Sequence, residues 1–149
     1  MIKLIKILTN AIDKCLVNDL ELIQNEMEWA ISHRLAVYLE SNFPGWNVDC
    51  EYIKMGPEYK TKHGSDGKYK RPDIIIHNRG RVDSVSNLLV IEIKMTEGND
   101  SDEEKLIDFT SPPNDAKPFQ FQFGLKISFL PEPKQRWFIN GEMVKEIKS

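Results

Sequence analysis

The sequence predicts a mixed α/β fold, with helices packed against a central sheet and a single domain over residues 1–149. Residues 74–76 and 88–91 are continuous apolar runs rich in β-branched side chains, which is typical of strands covered on both faces. Apolar residues recur at helical spacing before these runs, and alternating patterns return after them. A chain of this length can bury a core without disulfides or a structural metal.

Two helices are predicted before the first strand. Apolar residues at helical spacing predict the first helix from residue 2 to about residue 16. A second, longer helix is expected to begin at Asn18 or Asp19 and to end at residues 42–45, and Glu21 completes a capping box with Asn18.

The other elements follow in chain order. Turn residues at 78–86 are expected to fold the two apolar strands back against each other. The acidic residues at 97–104 are interpreted as the N-terminal part of a helix, where negative side chains interact favourably with the helix dipole. The predicted elements are a strand at 48–54, a loop at 55–70, strands at 73–77 and 88–94, a helix from Ser101, a strand at 119–130, and a hairpin turning at Asn140-Gly141.

Charged residues interrupt the two apolar strands. Asp73 opens the first strand, and Glu92 and Lys94 lie two residues apart on the second, so the latter two share a face. If the strands fold back on each other, Asp73 lies beside Glu92. A buried ionised group costs roughly several kcal/mol, so it is kept where a partner, a metal or a reaction compensates. Two carboxylates with a nearby lysine suit a hard cation, although a surface ion pair at a strand end is the alternative.

The pattern of Pro72-Asp73 followed by Glu92-x-Lys94 resembles the PD-(D/E)XK nuclease superfamily. Other acid-x-Lys triplets occur in the chain, but the triplet at Glu92 lies within an apolar strand, downstream of the only Pro-Asp pair. The resemblance implies a restriction-endonuclease-like αβββαβ core, with an extra N-terminal helix and a C-terminal β-hairpin. It also implies a small stand-alone nuclease, an endonuclease that hydrolyses phosphodiester bonds in DNA, with RNA left open.

The resemblance further implies a catalytic site with Mg²⁺ as cofactor, replaceable by Mn²⁺. Asp73, Glu92 and the Ile93 carbonyl would hold the ion, and Lys94 would orient or deprotonate the attacking water. Superfamily members carry an acid on the first core helix, and we choose Glu28, with Glu26 as the fallback and a solvated acid as the alternative.

Nucleic acid is the expected partner despite a net charge of −3. Basic residues are concentrated between positions 54 and 81, and such a stripe attracts phosphates unless it is simply a solvated loop. Similar superfamily members place a lysine near the site, at the position of Lys105. The predicted nucleic-acid contacts are Lys60, Lys62, Lys68, Lys70, Arg71 and Lys105.

A second function remains open, namely a catalytically silent module that binds nucleic acid or protein on the same fold. If the chain is a nuclease, cleavage of both strands of a duplex requires a homodimer or another partner. We find no run long enough to span a membrane and expect reduced cysteines and a cytoplasmic protein.

Overall fold

The computed structural model describes residues 1–52, 54–55, 58–59, 71–81, 83–97, 101–115 and 117–148. Its helices are α1 (Ile2–Asn18), α2 (Leu20–Gln24), α3 (Glu28–Glu40) and α4 (Ser101–Thr110), with a 3-10 turn at Ser84–Ser86. Its strands are β1 (Asn47–Cys50), β2 (Lys54–Met55), β3 (Glu58–Tyr59), β4 (Ile74–His77), β5 (Asn87–Lys94), β6 (Phe123–Ser128), β7 (Lys134–Ile139) and β8 (Glu142–Lys148).

Six of these strands form one mixed sheet in the order β1-β4-β5-β6-β7-β8. Strands β5 and β6 are parallel, and the other neighbouring pairs are antiparallel. The apolar strands β4 and β5 pair with Ile74 opposite Ile91 and Ile76 opposite Leu89, which confirms that these two strands fold back against each other. A separate two-stranded ladder joins β2 and β3.

Helices cover both faces of the sheet, and strand alternation decides which residues each face buries. Alternate residues of β4 and β5, such as Ile76 and Ile91, pack with α1 and α3. The intervening residues Ile75 and Val90 pack with Leu106 and Phe109 of α4 and with phenylalanines further along the chain. The mixed α/β class with helices flanking a mixed sheet is therefore confirmed.

The long second helix predicted from residue 18 or 19 is broken into α2 and α3. Glu26 lies between them with φ of 52°, a left-handed conformation that interrupts a helix. The predicted capping box of Asn18 and Glu21 is also wrong, because Asn18 belongs to α1 and the N-cap of α2 is Asp19, whose carboxylate makes no cap hydrogen bond. This carboxylate accepts instead from Arg34 Nε at 2.9 Å and from the Tyr38 hydroxyl at 2.7 Å. The break makes Glu28 the first residue of α3.

Two strands are shorter than predicted. Strand β1 ends at Cys50, because Glu51 has φ of 47° and donates its N–H to the Asp73 carbonyl. Strand β6 begins only at Phe123. Phe119 and Phe121, which the sequence predicts to belong to the same strand, are nevertheless buried in the core. Both residues precede the part of the chain that pairs with β5, and each ring has its centroid 6.0 Å from that of Phe109 on α4.

The C-terminal hairpin forms where predicted. Asn140 and Gly141 have φ of 52° and 79°, as the tight hairpin turns favoured by Asn-Gly require. Strands β7 and β8 extend the sheet beyond β6. Cys15 and Cys50 form no disulfide. Within the described residues, no helix combines the length and apolar character needed to cross a membrane.

Helix α4 lies close to β6 because Gly124 has no side chain. A Cβ at this position would lie 3.0 Å from Thr110 Cγ2, 3.2 Å from Phe138 Cβ and 3.4 Å from Leu106 Cδ2. Both Thr110 and Leu106 belong to α4. The absence of a side chain at Gly124 therefore lets the C-terminal half of α4 approach β6 closely.

Candidate active site

Charged side chains from both helical layers meet at the carboxyl end of β5. The N-terminus of α3 and the first turns of α4 both reach this end of the sheet, and Asp73 immediately precedes β4. We call this group the carboxylate–lysine cluster, and its members are Glu28, Asp73, Glu92, Lys94, Asp102 and Lys105.

Asp73 is fixed across from Glu92 by the register of β4 and β5. Because Ile74 lies opposite Ile91 in this antiparallel pair, the preceding residue falls beside Glu92, as predicted. Asp73 Oδ2 accepts a hydrogen bond from the Ile93 N–H at 2.6 Å. Burial raises the pKa of Asp73 to about 6, and this hydrogen bond opposes the rise only in part.

Glu92 is the most deeply buried acid of the cluster, with 1% of its surface exposed. Its Oε2 accepts from Lys105 Nζ at 2.6 Å, whereas its Oε1 is buried without a hydrogen-bond partner among the described residues. Burial, followed by the negative charge of Asp73, raises the pKa of Glu92 to about 8, although Lys105 opposes this.

Lys94 joins the sheet to both helical layers. Its Nζ donates to Glu28 Oε1 at 2.9 Å and lies 3.7 Å from Asp102 Oδ2. Burial alone would lower the pKa of Lys94, but the Glu28 hydrogen bond and the charges of Asp102 and Glu28 raise it above its ordinary value. The structure thus brings Glu28 to the cluster, while Glu26 lies exposed in the link between α2 and α3.

Lys105 lies in the cluster, with its ammonium shared by two carboxylates. Its Nζ is 2.6 Å from Glu92 Oε2 and 3.5 Å from Asp102 Oδ1. Asp102 is a site residue that the sequence does not single out, because the acids of residues 97–104 also suit the start of a helix. The signal that could have identified it is the three-residue spacing from Lys105, which places both on one helix face.

The cluster carries an excess of negative charge. Its four carboxylates face two ammonium groups, which leaves two negative charges uncompensated when all are ionised. No three His, Cys, Asp or Glu side chains of the described residues converge into a ready metal-binding group. The ammonium groups of Lys94 and Lys105 instead bind Glu28 and Glu92.

The predicted basic contacts fall mostly outside the described residues. Arg71 is described, and its guanidinium is exposed, with Nη1 3.8 Å from Glu51 Oε2. Lys105 binds Glu92 and Asp102 and is not presented on the open surface. The contacts that lie outside the described residues are Lys60, Lys62, Lys68 and Lys70.

A scan against protein-family models and a search of curated proteins found no match to this sequence. A search of solved structures found one chain of the cryo-EM structure of a DrdV–DNA complex, with a TM-score of 0.50 and 16% sequence identity. The match covers 99% of this chain and 12% of that chain, so this chain spans a small part of that chain's length. At this identity the similarity is one of fold.

Proposed function

We propose that this chain is a metal-dependent nuclease of the PD-(D/E)XK superfamily that hydrolyses phosphodiester bonds, with DNA as the favoured substrate. The observation that carries the proposal is the pairing of Asp73 with Glu92 on adjacent strands, where Glu92 keeps one buried oxygen without a hydrogen-bond partner among the described residues. The helix, strand, strand, strand, helix, strand order from α3 to β6, apart from the β2–β3 ladder, supports the superfamily assignment. The fold similarity to a chain in a DNA complex supports a nucleic-acid substrate.

The paired carboxylates of Asp73 and Glu92 suit a divalent cation such as Mg²⁺, with Mn²⁺ as its substitute. Carboxylate oxygens are the ligands that Mg²⁺ prefers, and an ion of charge +2 would offset the two negative charges that remain when all four carboxylates of the cluster are ionised. Asp73 and Glu92, with the Ile93 carbonyl and Glu28, would hold the ion. When bound, it would polarise the phosphate and lower the pKa of a bound water.

Lys94 would act as a fixed positive charge beside the scissile phosphate. Its raised pKa keeps the ammonium protonated at neutral pH, so it suits charge stabilisation and water orientation better than proton abstraction. The hydrogen bond to Glu28 and the contact with Asp102 hold this ammonium at the end of β5. Because this positive charge is already in place, the protein does not have to rearrange as negative charge develops on the phosphate in the transition state.

The proposal is tested by incubating the purified chain with single- and double-stranded DNA and RNA, in Mg²⁺, Mn²⁺ or EDTA. Cleavage is expected with either metal and should fall by about 10²- to 10⁴-fold in Asp73→Asn and Lys94→Ala. The matched control is Glu146→Gln with Lys148→Ala, because this pair has the same acid-x-Lys spacing on the exposed strand β8. Cleavage that survives unchanged in Asp73→Asn and Lys94→Ala would refute the site, and binding without turnover or metal dependence would support the silent module.

Cleavage of both strands of a duplex by one site per chain requires a second copy or another partner. We therefore propose that the chain self-associates weakly when it acts on duplex DNA. Sedimentation of the chain with and without duplex tests this, and double-strand breaks produced by a chain that stays monomeric would contradict it.

A further inference from the structure

Lys105 occupies a position that suits a cation. Its ammonium lies between Glu92 of β5 and Asp102 of α4, with Nζ 2.6 Å from Glu92 Oε2 and 3.5 Å from Asp102 Oδ1. The side chains of Glu92 and Asp102 are 1% and 8% exposed, whereas that of Lys105 is 18% exposed. A positive group is thus enclosed by two nearly buried carboxylates, which need a cation to remain ionised.

The two oxygens of Glu92 have different surroundings. Oε2 binds Lys105, whereas Oε1 is buried with no hydrogen-bond partner in the described part of the chain. Asp102 Oδ2 is likewise buried without a hydrogen bond there, since Lys94 Nζ lies 3.7 Å away. Glu92 can therefore give Oε1 to a metal ion while Oε2 keeps its contact with Lys105.

On the basis of the proposed function, we infer that the cluster takes one divalent cation and that the Lys105 ammonium fills the position of a second. One divalent ion balances the two negative charges that remain when the four carboxylates and two ammonium groups of the cluster are all ionised. A second ion would leave an excess of two positive charges at a largely buried site, which is unfavourable without further anions. Asp102 then positions Lys105 and does not bind the catalytic ion.

Manganese stoichiometry tests this inference without any measurement of cleavage. The full chain is titrated with Mn²⁺ alone, and free Mn²⁺ is counted from its electron paramagnetic resonance signal. The wild type should bind one ion per chain. Lys105→Met keeps most of the side-chain volume but removes the charge, so it should bind a second ion between Glu92 and Asp102.

The second ion should depend on Asp102. In the double variant Lys105→Met with Asp102→Asn, affinity for the second ion should fall by about tenfold or more, while the first ion remains. Lys145→Met is the matched control, because it removes an exposed lysine on β8 and should leave one ion bound.

The possible results separate this inference from the proposed function. Two ions of similar affinity on the wild type, or a folded Lys105→Met that binds only one, would overturn the single-ion inference. No ion on the wild type would overturn the proposed function itself. Circular dichroism establishes that each variant is folded, and the wild-type count decides the inference if Lys105→Met does not fold.

Discussion

The Lys94 ammonium donates to the Glu28 carboxylate, with 2.9 Å between Nζ and Oε1, and so joins the last residue of β5 to the first residue of α3. These residues are 66 positions apart in the chain. The contact depends on the break between α2 and α3, because the break is what starts a new helix at Glu28.

Glu28→Gln should reduce nuclease activity. The substitution removes the charge that holds the Lys94 ammonium and one proposed oxygen ligand, and losses of this kind lower metal affinity or activity by about 10- to 100-fold. Cleavage rates at several Mg²⁺ concentrations measure the effect. Glu26→Gln is the control, since Glu26 is exposed and should show wild-type rates. Equal rates for both variants would show that Glu28 has no part in the reaction.

The metal-free protein should lose stability as the pH rises from about 4.5 to about 8. The pKa of Glu92 is raised from 4.5 to about 8, so the folded state binds this proton more tightly than the unfolded chain does. The resulting stabilisation is complete below pH 4.5 and is lost as the pH rises through about 8. Thermal melting in EDTA measures this loss.

Glu92→Gln should remove this part of the pH dependence, because glutamine does not titrate. Mg²⁺ should oppose the loss in the wild type at pH 8 to 9, since it binds the ionised carboxylate. Parallel melting curves for wild type and variant across this pH range would contradict the raised pKa of Glu92.

Gly124→Ala should destabilise the protein by about 1–3 kcal/mol through overpacking against α4. The new methyl group would lie 3.0 Å from Thr110 Cγ2 and 3.2 Å from Phe138 Cβ. Urea unfolding measures the change. Adding Thr110→Ser removes the closer methyl group and should restore part of the stability. A Gly124→Ala variant as stable as the wild type would show that α4 can shift on the sheet without cost.

Nucleic-acid binding should weaken as salt rises, and the basic segment before β4 should account for part of that dependence. Replacing Lys68, Lys70 and Arg71 with alanine should reduce the slope of log affinity against log salt by about 0.7 to 0.9 per lost phosphate contact. Binding is measured in EDTA, so that no cleavage occurs. Substituting Lys3, Lys6 and Lys14 of α1 by alanine is the charge-matched control, and an equal effect from both triple variants would contradict a localised interface.

Much of the site could be predicted because strand pairing follows simple geometric rules. Charges within continuous apolar runs identified Asp73, Glu92 and Lys94, and alternation assigned Glu92 and Lys94 to one face. The turn residues between the strands then placed Asp73 opposite Glu92, as the register of β4 and β5 confirms. Their roles in catalysis remain predictions.

Other features depend on tertiary contacts that local patterns do not reveal. The break at Glu26 has no local signal, and Asp19 pairs with Arg34 instead of capping a helix with its side chain. Asp102 has the local pattern of an ordinary acid in a first helical turn, yet it is buried between Lys94 of β5 and Lys105 of its own helix. The aromatic alternation at 119–123 extended the predicted β6 strand, because periodicity alone does not show where hydrogen bonding to a neighbour begins.

A crystal structure of the chain grown with Mn²⁺ would show whether Asp73 and Glu92 hold a metal ion together, because the anomalous signal of manganese locates the ion independently of activity. One peak is expected within about 2.0–2.4 Å of carboxylate oxygens of both Asp73 and Glu92, the distance range of oxygen ligands to such ions. A fully occupied peak elsewhere, or no peak at saturating Mn²⁺ with both carboxylates turned into solvent, would contradict this expectation.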